Sequence, residues 1–168
     1  MNHEESRLQQ QFITWFRSQY PQFAMLMTHP INEGSKNTRV SGSIHKAEGT
    51  VAGVADLLFF LPSYIRTKDI YGNPVWTEVH GLCIEWKTPS GKQSPEQKRF
   101  QKMVEAAGFK YDIVRDQTQA RLLIMDYIAT AAECYKDDIM TTYKAIEKEM
   151  EDKEREKFYK VIGKTKHQ

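Results

Sequence analysis

Glu85-Trp86-Lys87 closes the apolar run Gly81-Leu82-Cys83-Ile84, and a single acid, Asp56, opens a second apolar run, Asp56-Leu57-Leu58-Phe59-Phe60-Leu61. If the runs are antiparallel neighbours, the start of one lies beside the end of the other, so Asp56 is expected to meet Glu85 and Lys87. Strand side chains alternate between faces, which turns Glu85 and Lys87 to one side and Trp86 to the other. Two carboxylates and an ammonium in one small space suit a hard divalent cation, Mg²⁺ or Mn²⁺, which takes oxygen ligands and keeps several waters. Asp56, Glu85 and the main-chain carbonyl of Trp86 are the expected metal ligands. Such a metal lowers the pKa of a bound water and neutralises charge building on a phosphate, and Lys87 beside it would assist the same step. The competing account is a cross-strand ion pair on a half-exposed sheet, which is common and adds little stability.

The elements that must position these groups follow from pattern. Leu8, Phe12, Trp15 and Phe16 recur at helical spacing ahead of Tyr20-Pro21, predicting an amphipathic first helix. Helical phase puts Glu5 on its inward stripe and Glu4 well off it. A favourable charge at the positive end of the helix is the alternative role for Glu5. Phe23 to Thr28 reads as a strand or a connection, and the polar, glycine-dotted stretch 32–53 as a long loop. His29, His45 and Lys46 lie in or near that loop, exposed or within reach of a substrate phosphate. Residues 62–73 read as a long hairpin connection, and the strand that ends at Glu85 is expected to begin near Val75.

Ser94-Pro95-Glu96-Gln97 has the form of a capping box, with Phe100, Met103, Val104 and Ala107 as the buried face of the helix it starts and Gly108 as its left-handed stop. Tyr111 to Val114 reads as another strand. Asp116 caps a further helix carrying Ala120, Leu123, Ile124 and Tyr127. His80 and Cys83, three apart on a strand, fall on opposite faces and make no zinc pair.

A chain of 168 residues supports one ordinary domain with its own core. The domain is expected over residues 1–131. Residues 132–168 form a charged C-terminal helical extension: from Glu133 onward nine Lys/Arg balance nine Asp/Glu, and Met140, Tyr143, Ile146 and Met150 recur helically. Formal net charge is only +2, too mild to announce a nucleic-acid partner, but residues 88–121 carry seven Lys/Arg against four Asp/Glu. Two cysteines without metal-ligand spacing read as reduced packing residues. No signal or transmembrane segment is visible, so a soluble, cytoplasmic protein without a membrane partner is expected.

Gly53-Val54-Ala55-Asp56, Glu85-Trp86-Lys87, Gly91, Ser94, Gln97 and Gly108 together resemble the VRR-NUC branch of the PD-(D/E)xK nuclease superfamily, over roughly residues 5–116. Ala55 replaces the proline of the superfamily name, and Glu33 in Asn32-Glu33-Gly34 stands where glycine is usual. The resemblance implies an α/β, restriction-endonuclease-like core: a mixed sheet of about four strands flanked by helices, here with the added helical tail. It also implies a Mg²⁺- or Mn²⁺-dependent DNA endonuclease of replication, repair or recombination, often in phages, acting on branched or flap DNA. In that scheme Asp56 and Glu85 bind metal, Lys87, Gln97 and Glu5 complete the catalytic set, and Lys46, Lys92, Lys98, Arg99 and Lys102 are candidates to contact DNA. Cutting a junction on two strands would call for a homodimer. Two other readings use the same residues, a non-cleaving nucleic-acid-binding module and a metal-dependent hydrolase of small phosphoesters.

Overall fold

The structure, a computed structural model, describes residues 3–30, 49–131 and 133–165. Helix α1 (His3–Gln19) has Glu4 and Glu5 in its first turn and Arg17 in its last, each favourable to the helix dipole. A 3₁₀ segment (Pro21–Leu26) and a two-residue strand β1 (Met27–Thr28) follow, so the apolar run at Phe23 is mostly a turn of helix. The remaining elements are β2 (Leu57–Phe59), β3 (Ser63–Lys68), β4 (Pro74–Val79), β5 (Leu82–Trp86), α2 (Pro95–Ala106), β6 (Lys110–Val114), α3 (Gln117–Ala129) and α4 (Glu133–Thr165).

A mixed sheet in the order β1-β2-β5-β6 forms the centre, with β2 antiparallel to β5 and β6 parallel to it. Leu57 stands opposite Ile84. One step further along this antiparallel register, Asp56 stands opposite Glu85, as the two apolar runs led us to expect. Alternation then sorts the side chains. Trp86 and Phe59 face α1 and α3, where Phe12 meets Trp86 at 5.8 Å, Phe16 meets Phe59 at 5.5 Å and Phe59 meets Tyr127 at 6.0 Å between ring centroids. Aromatic pairs of this kind add roughly 0.5–1.5 kcal/mol each beyond their buried area. Ala55, Cys83 and Tyr111 face the other way, against Phe100 and Val104 of α2. Burial pushes the Cys83 thiol up to about 11, in keeping with an inert packing residue.

Two expectations are corrected. Residues 62–73 are not an irregular connection: Ser63–Lys68 is strand β3, paired with β4 in a separate two-stranded sheet. The alternation was present, but Ser63 and Thr67 occupy the inner positions and Arg66 and Lys68 the outer, so hydrophobicity did not reveal it. Nor does one strand run from Val75 to Glu85. The chain breaks at His80-Gly81, where a Cβ on Gly81 would lie 2.6 Å from the Phe59 carbonyl oxygen and 2.8 Å from the Phe109 ring. Only glycine allows that approach.

Helix α2 opens with the expected capping box and stops at Gly108 with φ +84. Its inner face is narrower than predicted: Phe100 and Val104 pack inward, whereas Met103 and Ala107 are exposed. Asp116 caps α3 as expected, accepting from the Gln119 amide at 2.8 Å. The chain divides into two compact units, Met1–Ala132 and Glu133–Gln168. The second contains the continuous helix α4, whose Lys153 pairs with Glu149 one turn earlier at 2.5 Å. No helix of the described residues is long and apolar enough to cross a membrane.

Candidate active site

The C-terminal end of β5 delivers Glu85 onto the α2 face of the sheet, and Lys87 returns to the same face two residues later. The Lys87 ammonium bonds Glu85 Oε1, and its Nζ also donates to the Trp86 carbonyl at 3.1 Å. Gln97, on the first turn of α2, donates from Nε2 to the same Glu85 oxygen. Its Oε1 accepts from the Ser94 amide at 2.9 Å. One side chain therefore closes the capping box and holds the carboxylate. Tyr111 of β6 donates its hydroxyl to Glu85 Oε2 at 3.3 Å.

Asp56 accepts the Trp86 amide on Oδ2 at 2.8 Å. Its own carbonyl accepts from His29 Nδ1 at 2.7 Å and from Gln9 Nε2 at 3.5 Å. Glu5 reaches from the start of α1 to the Thr88 amide at 3.0 Å and lies near enough to Asp56 to disfavour its charge. The five predicted side chains thus gather at one end of the sheet. Lys92, Lys98, Arg99 and Lys102 are exposed nearby in sequence on or before α2, Arg99 pairing with Glu96 at 2.7 Å. Lys46 and His45, like the Asn32-Glu33-Gly34 segment, lie outside the described residues.

No protein-family profile matches the sequence, and no curated protein matches it. Among solved structures, a "VRR_NUC domain protein" superposes with a TM-score of 0.58 at 18% identity, over 78% of this chain and 93% of that one. The chain has a VRR-NUC fold.

In this VRR-NUC fold four positions escaped the sequence reading. Gln9 sits on the same helical stripe as Glu5, Phe12 and Phe16, and a buried polar residue in an apolar stripe was the available signal. Nothing in the sequence marked His29 as a support for the Asp56 backbone or Tyr111 as a partner of Glu85. Arg115 was counted as a surface cation. Its guanidinium is instead spent on the loop after Lys87, donating to the carbonyls of Thr88, Pro89 and Gly91, the last two at 3.2 and 3.1 Å.

The donor set fits a hard divalent cation. Asp56, Glu85 and the Trp86 carbonyl offer oxygen only, and the Lys87 ammonium already bridges Glu85 Oε1 and the Trp86 carbonyl, so both oxygens border a space that takes positive charge. Among the described residues no three His, Cys, Asp or Glu side chains form a self-sufficient cage. Such an ion would be held by the two carboxylates and the carbonyl, with water at its other positions.

Burial, then repulsion from Asp56, pushes the Glu85 carboxyl up to about 7 despite Lys87, and burial raises Asp56 as well. Between those two values the folded protein therefore keeps a proton on Glu85 that the unfolded chain, near 4.5, has lost. Stability falls with rising pH wherever the folded state binds more protons. The metal-free protein should lose stability between about pH 5 and pH 7, on the order of 3 kcal/mol from this group at about 1.4 kcal/mol per pKa unit, then level off. Thermal melts in EDTA across that range check the slope, and added Mn²⁺ should stabilise more at the alkaline end. A flat profile in EDTA would mean the two acids do not share a buried site.

Proposed function

We propose that the protein is a Mg²⁺- or Mn²⁺-dependent DNA endonuclease acting on branched or flap DNA in replication, repair or recombination. One observation carries the reading: Asp56 accepts the Trp86 amide while the Lys87 ammonium joins Glu85 to the Trp86 carbonyl, which gathers two carboxylates, a carbonyl and a cation around one residue at the end of β5. The structural likeness to a VRR_NUC domain protein supports it. Bound metal would supply an activated water and neutralise charge on the scissile phosphate. Asp56 and Glu85 hold the ion. Gln97 and Tyr111 fix the Glu85 carboxylate from either side, Glu5 ties α1 to the Thr88 amide, and Lys87 stabilises the developing anion and orients the attacking water. Lys92, Lys98, Arg99 and Lys102 give the flanking cations that a polyanion needs. Lys46 belongs to the same set on sequence grounds.

The test is incubation of purified protein with junction, flap, duplex and single-stranded DNA in Mg²⁺, Mn²⁺ or EDTA, beside Lys87→Ala. Cleavage with metal, none in EDTA and at least about a hundredfold loss in the variant are expected, the usual scale for removing one charge-stabilising group. No cleavage of any substrate would overturn the nuclease reading, and full activity without Lys87 would overturn its role. Junction cutting further requires two copies, so a protein that remains monomeric with junction DNA bound acts on flaps instead.

A further inference from the structure

The β3–β4 hairpin leaves the central sheet at the end where Phe59 pairs with Leu82, opposite to the end that carries Asp56 and Glu85. Leu82 and Glu85 are three steps apart along β5, about 10 Å at roughly 3.3 Å per step. Its base is fixed: Ser63 Oγ donates to the Tyr127 carbonyl at 2.8 Å, Tyr64 N–H donates to the Thr130 carbonyl at 3.3 Å, and Val79 is buried. The register puts Arg66 opposite Trp76 and Tyr64 opposite Glu78, so Tyr64, Arg66, Lys68, Trp76 and Glu78 share the outer face.

That face is unusual for a surface. Trp76 is 62% exposed and Tyr64 36%, and neither ring stacks on another aromatic among the described residues. They flank a pocket of about 260 Å³ together with Thr130. Arg66 and Lys68 enter no ion pair among the described residues, and Glu78 has a partner of its own. Asp69 is consumed by the turn, accepting from the Tyr71 and Asn73 amides at 2.8 and 2.9 Å. The tip presents Ile70 and Tyr71, 91% and 83% exposed.

We infer that the outer face of this hairpin is a second DNA-contacting surface that holds unpaired nucleotides of the substrate, with bases against Trp76 and Tyr64 and phosphates on Arg66 and Lys68. Aromatic side chains that offer a free face beside uncompensated cations are what single-stranded nucleic acid binds, because every base can stack and every linkage is anionic. Tyr64 and Trp76 are diagonal neighbours across the ladder, some 7–8 Å apart, which leaves room for a flat ring between them. A partner must match the two cations as well as the rings, which a polyanion carrying flat bases does. The inference rests on the DNA-nuclease reading and adds to it a site apart from the catalytic end, gripping the strand beyond the point of cleavage.

Fluorescence anisotropy in EDTA, where binding is read without cutting, tests it with labelled single-stranded DNA and a blunt duplex on wild type, Trp76→Ala, Tyr64→Ala and Arg66→Ala/Lys68→Ala. Trp76→Ala should weaken single-strand binding by about 5- to 100-fold, the range for one lost base–aromatic stack, and duplex binding far less. The double charge variant should weaken both and flatten the salt dependence. DNA should quench tryptophan emission in wild type but much less in Trp76→Phe, since Trp86 is buried and Trp15 is half-buried against Phe12 and Tyr20 with Arg121 over its ring. Circular dichroism and thermal melts confirm that the variants fold. If wild type binds and cuts DNA while all three variants bind single strands equally well, the hairpin surface is overturned and the nuclease reading stands. If wild type binds no DNA, both fail. If Trp76→Ala instead turns a dimer into a monomer at unchanged DNA affinity, the face joins two copies of this chain and the inference is wrong.

Discussion

Asp56→Asn should abolish metal-dependent cleavage while leaving the metal-free protein as stable as wild type, or more so, at alkaline pH. The two effects separate because the Asp56 carboxylate has two jobs that an amide divides. Its Oδ2 accepts the Trp86 amide at 2.8 Å, and an asparagine oxygen can accept the same bond. Its charge is a cost to the folded chain: burial raises its pKa, and it pushes Glu85 up in turn. Removing that charge lets Glu85 ionise more easily beside Lys87 and relieves the repulsion. Metal binding, in contrast, loses one of only two side-chain carboxylates. Metal supplies several kcal/mol of transition-state stabilisation, so at about 1.4 kcal/mol per tenfold the rate should fall about a thousandfold or more. Single-turnover cleavage in Mn²⁺ and melts in EDTA at alkaline pH read the two effects independently. Cleavage within tenfold of wild type would remove Asp56 from the metal site. A large drop in melting temperature would make its carboxylate structural, and the cross-strand ion pair would become the better account of Asp56, Glu85 and Lys87.

The sequence carried the site's centre better than its surroundings, for a physical reason. Asp56 and Glu85 sit at the ends of unbroken apolar runs, and an antiparallel register leaves little freedom in which residue faces which. Gln97 was visible because Ser94 and Pro95 fix the start of α2, and Glu5 because helical phase separates it from Glu4. The supports were hidden because they act across the chain. His29 and Gln9 bond a main-chain carbonyl, Arg115 bonds three more, and no side-chain pattern encodes a backbone acceptor distant in sequence. Strand β3 was lost for a different reason: its inner positions are Ser63, Ile65 and Thr67, and Ser63 is buried through a hydrogen bond to Tyr127 rather than through hydrophobicity. The outcome at Met103 shows the limit of periodicity in a short helix. Helix α2 has no fully buried residue, so an apolar side chain one turn from Phe100 on the wrong flank remains in solvent.

Gly53→Ala should be the most damaging glycine substitution of the candidate site, destabilising the fold by about 2–5 kcal/mol and lowering cleavage by more than the folded fraction accounts for. Gly53 has φ +84, a conformation that costs an L-residue roughly 1–2 kcal/mol. Its missing Cβ would lie 2.4 Å from the Glu96 carbonyl carbon, 2.6 Å from the Gln97 nitrogen and 2.7 Å from the Glu96 oxygen. All three are main-chain atoms, so no rotamer change relieves the clash, and overpacking of this kind typically adds about 1–3 kcal/mol. Gly72 provides the control: φ is +85, but nothing lies within 4 Å of its added Cβ, so Gly72→Ala should cost only the conformational part. The difference between the two variants in urea unfolding measures the contact alone. Activity follows from what must move. Gln97 spans the Ser94 amide and the Glu85 carboxylate, so if the start of α2 retreats from position 53, Gln97 must release one of them. If the segment 53–56 retreats instead, Asp56 is drawn from the Trp86 amide. Either route separates groups that the sheet register had brought together, and equal losses in Gly53→Ala and Gly72→Ala would mean that this glycine does not couple the two motifs.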